Sequence, residues 1–523
     1  MINAGLIDFV VDDSPAKTRA CLALLVLIVL AAAGLLVWMG ATVVLGFPWD
    51  VPILLDGGWR ILQGQVPHVD FYTPLGPVTP LIVAFGMWLG GPVVSGFAYA
   101  DAVLLIIISL WAWAIGRPRL SAVLSLLFAL YAGFMAAGTA GYGYGLKQLS
   151  YAALYNRYGV ALTAVLFIEC FGRSRQNSPA RLCWEGASTG IALGLLFFLK
   201  VNFFGIAVLA VMAGAILMTQ SRYRWLGLCA GVGAVSLLML AYLRFDIAAM
   251  LHDLRLAARV RSGGLVHEIP GLMQDPAVFN SAFLMAILWC VNPLTDNAYR
   301  RWLSAKTAQG LLVLFLIGMQ AFLSLTNSQP RLPTLFPVAA LLILSNSSGR
   351  SLATLLLGLY FVLSTLVPDI ESLAYSAFLH VTQARELTAD QKFDSTSLAD
   401  MLVPTEPEYV QMVNDGCEML RRHSQPSERI LALDFSNPFS FALRRSPPKG
   451  DALWWDAAIT FNKNVYPDPE KSFRDAALVM VPKKPFAKKT ALQLMEVYGD
   501  YVRTRYTAVT ESPFWILYRR RPT

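Results

Sequence analysis

Apolar runs of membrane-spanning length recur along most of this chain, and that recurrence constrains the fold more than any other feature. A helix needs about 20 apolar residues to cross the hydrocarbon core of a bilayer. Candidate stretches lie near 20–46, 94–116, 120–141, 158–172, 184–200, 202–219, 225–243, 276–294, 307–326, 332–346 and 351–367. They give about eleven spans, with boundaries uncertain by several residues. Residues 75–90 are also apolar, but the run is short and begins among Pro74, Pro77 and Pro80. It reads as an interfacial helix. The run from Ala20 to Gly46 exceeds the ~7–15-residue apolar core of a cleaved signal and reads as an uncleaved first span. The small residues Ala31–Gly34 leave cleavage open.

Charge divides the chain in two. Overall, 56% of residues are hydrophobic and 15% charged, against about 25% charged in ordinary soluble domains. That excludes a typical soluble enzyme, a disordered chain and a disulfide scaffold. Residues 1–367 hold 22 Lys and Arg and 14 Asp and Glu, whereas 368–523 hold 20 of each sign. The expected organisation is a polytopic α-helical membrane domain over 1–367 and a soluble α/β domain over 368–523. The net charge of +8 sits in short loops between apolar runs, so it does not indicate nucleic-acid binding.

Those loops also set an orientation. With the N-terminus inside, the inner turns carry Lys17/Arg19, Arg117/Arg119, Arg173/Arg175/Arg181, Arg222/Arg224, Arg300/Arg301/Lys306 and Arg350. This is the positive-inside pattern, and an odd number of spans then puts the soluble domain on the outer face. Counting 75–90 as a span would invert every later turn. Cys21, Cys170, Cys183, Cys229 and Cys290 lie in or beside apolar segments, with Cys417 alone in the soluble part. They form no metal-ligand spacing. Spacings at Gly86/Gly90, Gly190/Gly194 and Gly227/Gly231 allow close helix packing. The Gly186-Ala-Ser188-Thr-Gly190 run matches a nucleophile elbow only in letters, since it lies within a span.

Charges on the outer side need another reason, because topology does not call for them. The first outer loop, within 46–93, gathers Asp50, Asp56, His68 and Asp70 beside Trp49, Trp59 and Tyr72. Carboxylates at a bilayer boundary are costly unless solvated or functional. Either this is a wet loop in which Asp56 caps a helix over 57–63 ended by Gly64, or it is a site. The next outer loop holds Tyr142, Tyr144, Tyr151, Tyr155 and Tyr158 with Lys147, Asn156 and Arg157. Lys200-Val-Asn202 interrupts an apolar run, as a polar hinge or as a phosphate ligand. Arg255, Arg259, Arg261, His267 and Glu268 follow, then Asn327, Gln329 and Arg331. Lys147, Arg157, Lys200 and Arg331 are therefore candidate ligands of a lipid phosphate. Trp49, Trp59, Tyr72 and Tyr155 are candidate contacts to a sugar or acceptor. Carboxylates, cations and aromatics at one outer face fit glycosyl transfer from a lipid-phosphate sugar, with a carboxylate as general base.

The first loop resembles the GT-C superfamily of polytopic glycosyltransferases, in the bacterial branch of protein O-mannosyltransferases, aminoarabinose transferases and lipopolysaccharide-core sugar transferases. Asp50 falls on that family's acidic position after the first span, and Gly64 on its glycine. Pro67-His68-Val69-Asp70-Phe71 falls on the next element and Pro74–Pro80 on the Pro-rich start of a juxtamembrane helix. His68 replaces the usual aromatic, and Val51 follows Asp50 where a second acid is usual. The resemblance implies Asp50 as catalytic base, with Asp56, His68 and Asp70 shaping the site. It also implies a polyprenyl-phosphate sugar donor used outside the cytoplasmic membrane, with a lipid, glycan or protein acceptor. No cofactor is expected, and nothing in the sequence supports a divalent metal.

In the soluble part, helix 407–423, strand Ile430–Asp434, strand Ala477–Val481, helix Thr490–Val502 and strand Phe514–Tyr518 alternate as βα units would. Trp454-Trp455-Asp456 matches the WWD element of oligosaccharyltransferases, but Ala457-Ala458 replaces the Tyr-Gly that follows there, so the match reads as coincidence. Acceptor binding or a lid over the outer cavity is the expected role of this domain. A polysaccharide polymerase or ligase, or a lipid or oligosaccharide transporter, is the alternative reading of the whole chain.

Overall fold

The computed structural model describes residues 7–522 apart from 11, 41, 141–148, 176–177, 218–220, 262–268, 271–275, 292–304, 327–333, 347–350, 384–387 and 389–390. The membrane part contains α1 (Pro15–Met39), α2 (Val51–Leu62), α3 (Val78–Gly90), α4 (Gly96–Gly116), α5 (Ala122–Ala137), α6 (Leu154–Phe171) and α7 (Pro179–Leu199). It continues with α8 (Val201–Leu217), α9 (Arg222–Tyr242), α10 (Ile247–Arg261), α11 (Pro276–Val291), α12 (Ala305–Thr326), α13 (Phe336–Asn346) and α14 (Leu352–Gln383). Among the described residues, α1, α4, α7, α9 and α14 are long and apolar enough to cross a membrane. The 11-residue α13 rises only about 16 Å, so the sequence count of eleven full spans is not reproduced by length. The 13-residue α3 is likewise too short to span.

Local chemistry explains several boundaries. The Ser14 hydroxyl accepts from the Lys17 N–H and Pro15 occupies the first turn of α1, while Gly40 ends it in a left-handed conformation. Ser121 and Ser178 cap α5 and α7 in the same way. The predicted last span stops at 367, yet α14 runs on through Pro368 to Gln383. Charge density rises there, at Asp369 and Glu371, before the backbone changes state, so the composition boundary falls inside a helix.

The small-residue spacings on α7 and α9 do what close packing requires. A methyl added at Gly186 would meet the Arg224 carbonyl oxygen at 2.0 Å, and one at Gly227 would meet that of Cys183 at 2.0 Å. The two backbones touch, which accounts for the glycines and leaves no role for Ser188 as a nucleophile. Its hydroxyl accepts from the Trp111 indole N–H at 2.6 Å.

The soluble part adds β2 (Met401–Leu402), α15 (Pro407–His423), β3 (Ile430–Ala432), α16 (Phe439–Ala442), α17 (Pro469–Ser472), β4 (Leu478–Pro482), α18 (Lys488–Arg505), β5 (Tyr506–Glu511) and β6 (Trp515–Arg520). Four strands form one sheet in the order β3-β4-β6-β5. Only β3 and β4 are parallel; β4–β6 and β5–β6 are antiparallel. The domain is thus a mixed sheet with a terminal hairpin rather than a run of βα units. The mostly exposed β5, with Tyr506, Thr507, Val509 and Thr510, lies outside the strands expected from the sequence although these residue types favour one. β1 (Thr42–Val43), just after α1, pairs parallel with β2 and ties the two parts together.

Candidate functional site

After β1 the chain turns sharply. Phe47 adopts a left-handed backbone, and a single 3-10 turn over Pro48–Asp50 leads into α2. Helix α2 therefore starts at Val51 with Asp50 at its N-cap, not at 57 with Asp56 as cap. Asp56 lies mid-helix, while Gly64, at φ +78°, follows its end as expected. The Asp50 carboxylate accepts no capping hydrogen bond, although most N-cap aspartates do so. It is half-buried. Burial, reinforced by the nearby Asp456 carboxylate, pushes its pKa up to about 7.

Aromatic contacts hold this turn against the soluble domain. The Trp49 ring stacks on Phe486 at 5.3 Å and meets Tyr409 edge-on. The Ser436 hydroxyl donates to the Trp49 carbonyl at 2.7 Å.

A cavity of about 300 Å³ lies at the joint of the membrane helices and the soluble domain; Asp50 does not line it, but its field acts on the Tyr155 wall. Tyr155 and Asn156 enter from the start of α6, Lys200 and Asn202 from the break between α7 and α8, Arg261 from the end of α10, and Trp454 from the soluble domain. Lys200 is in extended conformation between the two helices. Its ammonium donates to the Asn156 side-chain oxygen at 2.9 Å and lies 4.7 Å from the Tyr155 ring centroid. Lys200 is thus both the break between the helices and a wall of the cavity. Arg261 donates to the Thr326 carbonyl and Asn202 to the Thr326 hydroxyl, each at 2.9 Å. These bonds join α8, α10 and α12 at the cavity mouth. The Tyr155 phenol lies in the fields of Asp50, Asp456 and Arg261. Asp456 is itself pushed up by burial, against the pull of Arg261, Lys489 and its bonds to the backbone N–H groups of Ala458 and Ile459.

Several sequence candidates build the structure around the cavity instead. Asp56 and Asp451 flank the fully buried Arg60, at 2.6 and 3.1 Å. Arg60 also donates to the Pro448 carbonyl at 2.7 Å, so Asp56 serves a latch between loop and soluble domain. His68, in a left-handed backbone, places Nδ1 3.0 Å from Asp253 on α10. Asp70 accepts from the Val66 N–H at 3.0 Å and meets Lys449 at 3.0 Å and Arg244 at 3.9 Å. Although burial opposes it, these donors hold its carboxyl below the usual range.

Three candidates are buried and held by partners away from the cavity. Arg157, expected to hold phosphate, is buried and pairs with Asp369 at 2.5 Å while donating to the carbonyls of Phe134, Met135 and Ala140. Trp59, expected to face a sugar, is buried and donates to the Arg445 carbonyl at 2.8 Å. Tyr72 is buried, and its hydroxyl donates to the Thr460 carbonyl at 3.1 Å. Lys147 and Arg331, with His267, Glu268, Asn327 and Gln329, lie outside the described residues.

Two residues at the site were underrated in the sequence. Arg261 was one cation among several in a long loop. Asp456 was set aside with the Trp454-Trp455-Asp456 run, whose first tryptophan lines the cavity.

No family model matches the sequence, and no curated protein matches it. Among solved structures, the chain aligns with the crystal structure of ArnT from Cupriavidus metallidurans bound to undecaprenyl phosphate. That alignment covers 95% of this chain and 97% of that one, at 12% identity and a TM-score of 0.47. The apo state of the same ArnT aligns over 97% and 98%, at 12% identity and a TM-score of 0.43.

Proposed function

We propose that this chain is an integral-membrane glycosyltransferase that moves a sugar from a polyprenyl-phosphate donor to an acceptor, with Asp50 as general base. The observation that carries the reading is the uncapped Asp50 carboxylate, whose field reaches the Tyr155 wall of a cavity that Lys200 and Arg261 also line. A carboxylate with a pKa near 7 is a competent base at neutral pH. Lys200 and Arg261 suit a phosphate, Tyr155 and Trp454 suit the apolar faces of a sugar, and the lipid tail remains in the bilayer.

In this mechanism the acceptor hydroxyl or amine loses its proton to Asp50 as it attacks the anomeric carbon. The bond from that carbon to the phosphate oxygen breaks, and the lipid phosphate leaves with its negative charge facing Lys200 and Arg261. Asp456 keeps Asp50 basic by opposing its ionisation. His68, Asp70 and the Asp56–Arg60–Asp451 latch fix the loop that carries Asp50. The reaction is assigned to the outer face of a bacterial cytoplasmic membrane, with the N-terminus cytoplasmic and the soluble domain outside.

The test is direct. Lipid extracts of a strain lacking this protein, compared with wild type by mass spectrometry, should gain an unconsumed polyprenyl-phosphate sugar and lose one glycosylated product. Identical extracts, together with no transfer by purified protein from a panel of such donors, would refute the activity.

A further inference from the structure

The soluble domain balances its charges overall, yet one face of it does not. A concavity of about 400 Å³ is lined by Arg474, Arg505, Arg520 and Arg521, with Glu470 and Tyr501 among the other wall residues. Of these four guanidinium groups, only Arg505 meets a carboxylate among the described residues, Glu470 at 3.0 Å. That carboxylate also accepts from the Tyr501 hydroxyl at 3.0 Å.

Arg520 and Arg521 are positioned by neutral groups. Arg520 donates to the carbonyls of Arg474 and Phe473. Arg521 donates to the Thr507 hydroxyl at 3.1 Å and the Arg503 carbonyl at 3.2 Å. Such bonds fix the direction of a guanidinium without neutralising it. Several like charges held together around a concave surface repel one another, and the arrangement is relieved when an anion enters.

We propose that this concavity binds an anionic saccharide, one carrying phosphate or carboxylate groups. The planar fork of arginine matches both anions bidentately. The space is far larger than one phosphate ion fills, and the Glu470 carboxylate and the Thr504 hydroxyl among its walls can hydrogen-bond the hydroxyls of a sugar ring. The residues belong to α17, α18, β6 and their flanks, apart from those of the membrane-face cavity. The site stands whether or not Asp50 is the base.

The experiment is titration calorimetry on the full chain in phosphatidylcholine nanodiscs. The probes are glucose 6-phosphate, glucuronic acid, glucose, inorganic phosphate and short-chain phosphatidylglycerol. Glucose 6-phosphate and glucuronic acid should bind, glucose should not, and inorganic phosphate should bind more weakly than the hexose phosphate. Arg474→Glu should weaken glucose 6-phosphate binding roughly 10- to 150-fold, the loss of one charge-assisted contact, and Arg474→Lys should restore most of it. Because Arg474 is exposed and outside the proposed catalytic machinery, melting midpoint and sugar transfer should not change in either variant. Equal binding of phosphate and glucose 6-phosphate would overturn the saccharide assignment. Binding of phosphatidylglycerol alone would make the face a lipid-contact surface and overturn it too. Unchanged affinity in Arg474→Glu would remove the site.

Discussion

Asp50 sits at the N-cap of α2 without accepting a backbone N–H, so its lone pairs stay available while burial strips its water. Burial first, and the Asp456 charge second, raise its pKa to about 7. The base works ionised, so turnover should fall as pH drops below about 7 and level off above it. Asp456→Asn removes the opposing charge and lowers the pKa of Asp50, so the acid limb of kcat/KM against pH should move to lower pH. A limb that stays in place would detach Asp456 from the base. Arg60 makes the contrasting case, a charge buried for structure. Arg60→Ala strands Asp56 and Asp451 without their cation and should destabilise the protein by ~3–5 kcal/mol, read from denaturation in detergent. The position of Asp50 after the first apolar run was legible in the sequence, whereas the β1 strand and the turn that carry it beyond the end of α1 at Met39 were not. The partners of Trp59, Tyr72 and Arg157 were hidden because residue type does not reveal a group hundreds of positions away. Each is satisfied by a group on a distant segment, the Arg445 and Thr460 carbonyls and Asp369.

Among the elements, the break between α7 and α8 matters most. An extended residue separates two apolar helices, and it is the lysine that faces the cavity. The sequence marked the break by one polar tripeptide within an apolar run, but hinge and ligand could not be separated without seeing that Lys200 meets Asn156 and Tyr155. Lys200→Ala should leave helix packing intact and reduce donor affinity roughly 10- to 150-fold, the effect of losing one charge-assisted contact. Equilibrium binding of a polyprenyl-phosphate sugar checks this, and unchanged affinity would leave Lys200 as a hinge alone. The α7–α9 pair shows the opposite degree of legibility. Its glycine spacings predicted close contact, and the backbones approach until no side chain fits between them. The sheet was less legible. β5 alternates weakly, is mostly exposed and gains its place only by pairing with β6.

For the whole molecule, the helical bundle and the C-terminal domain are joined around the loop within 46–93. The β1–β2 pair, the buried Arg60 latch, the Tyr72 carbonyl bonded to the Leu453 N–H at 2.9 Å and the Trp49–Phe486 stack all cross between them. Composition showed two bodies, but their joint was hidden, because its residues are ordinary in type and distant in sequence. The account requires the soluble domain on the outer face, so a reporter fused after Thr523 should be active only if it functions outside the cytoplasm. Cytoplasmic reporter activity would put the cavity on the wrong side. The most direct measurement is turnover and donor binding by Asp50→Asn. This change keeps the size of the side chain but cannot take the acceptor proton. Turnover should fall ~100- to 10,000-fold, the range for a lost acid–base group, with donor affinity retained. An Asp50→Asn protein that transfers sugar at the wild-type rate would contradict the account.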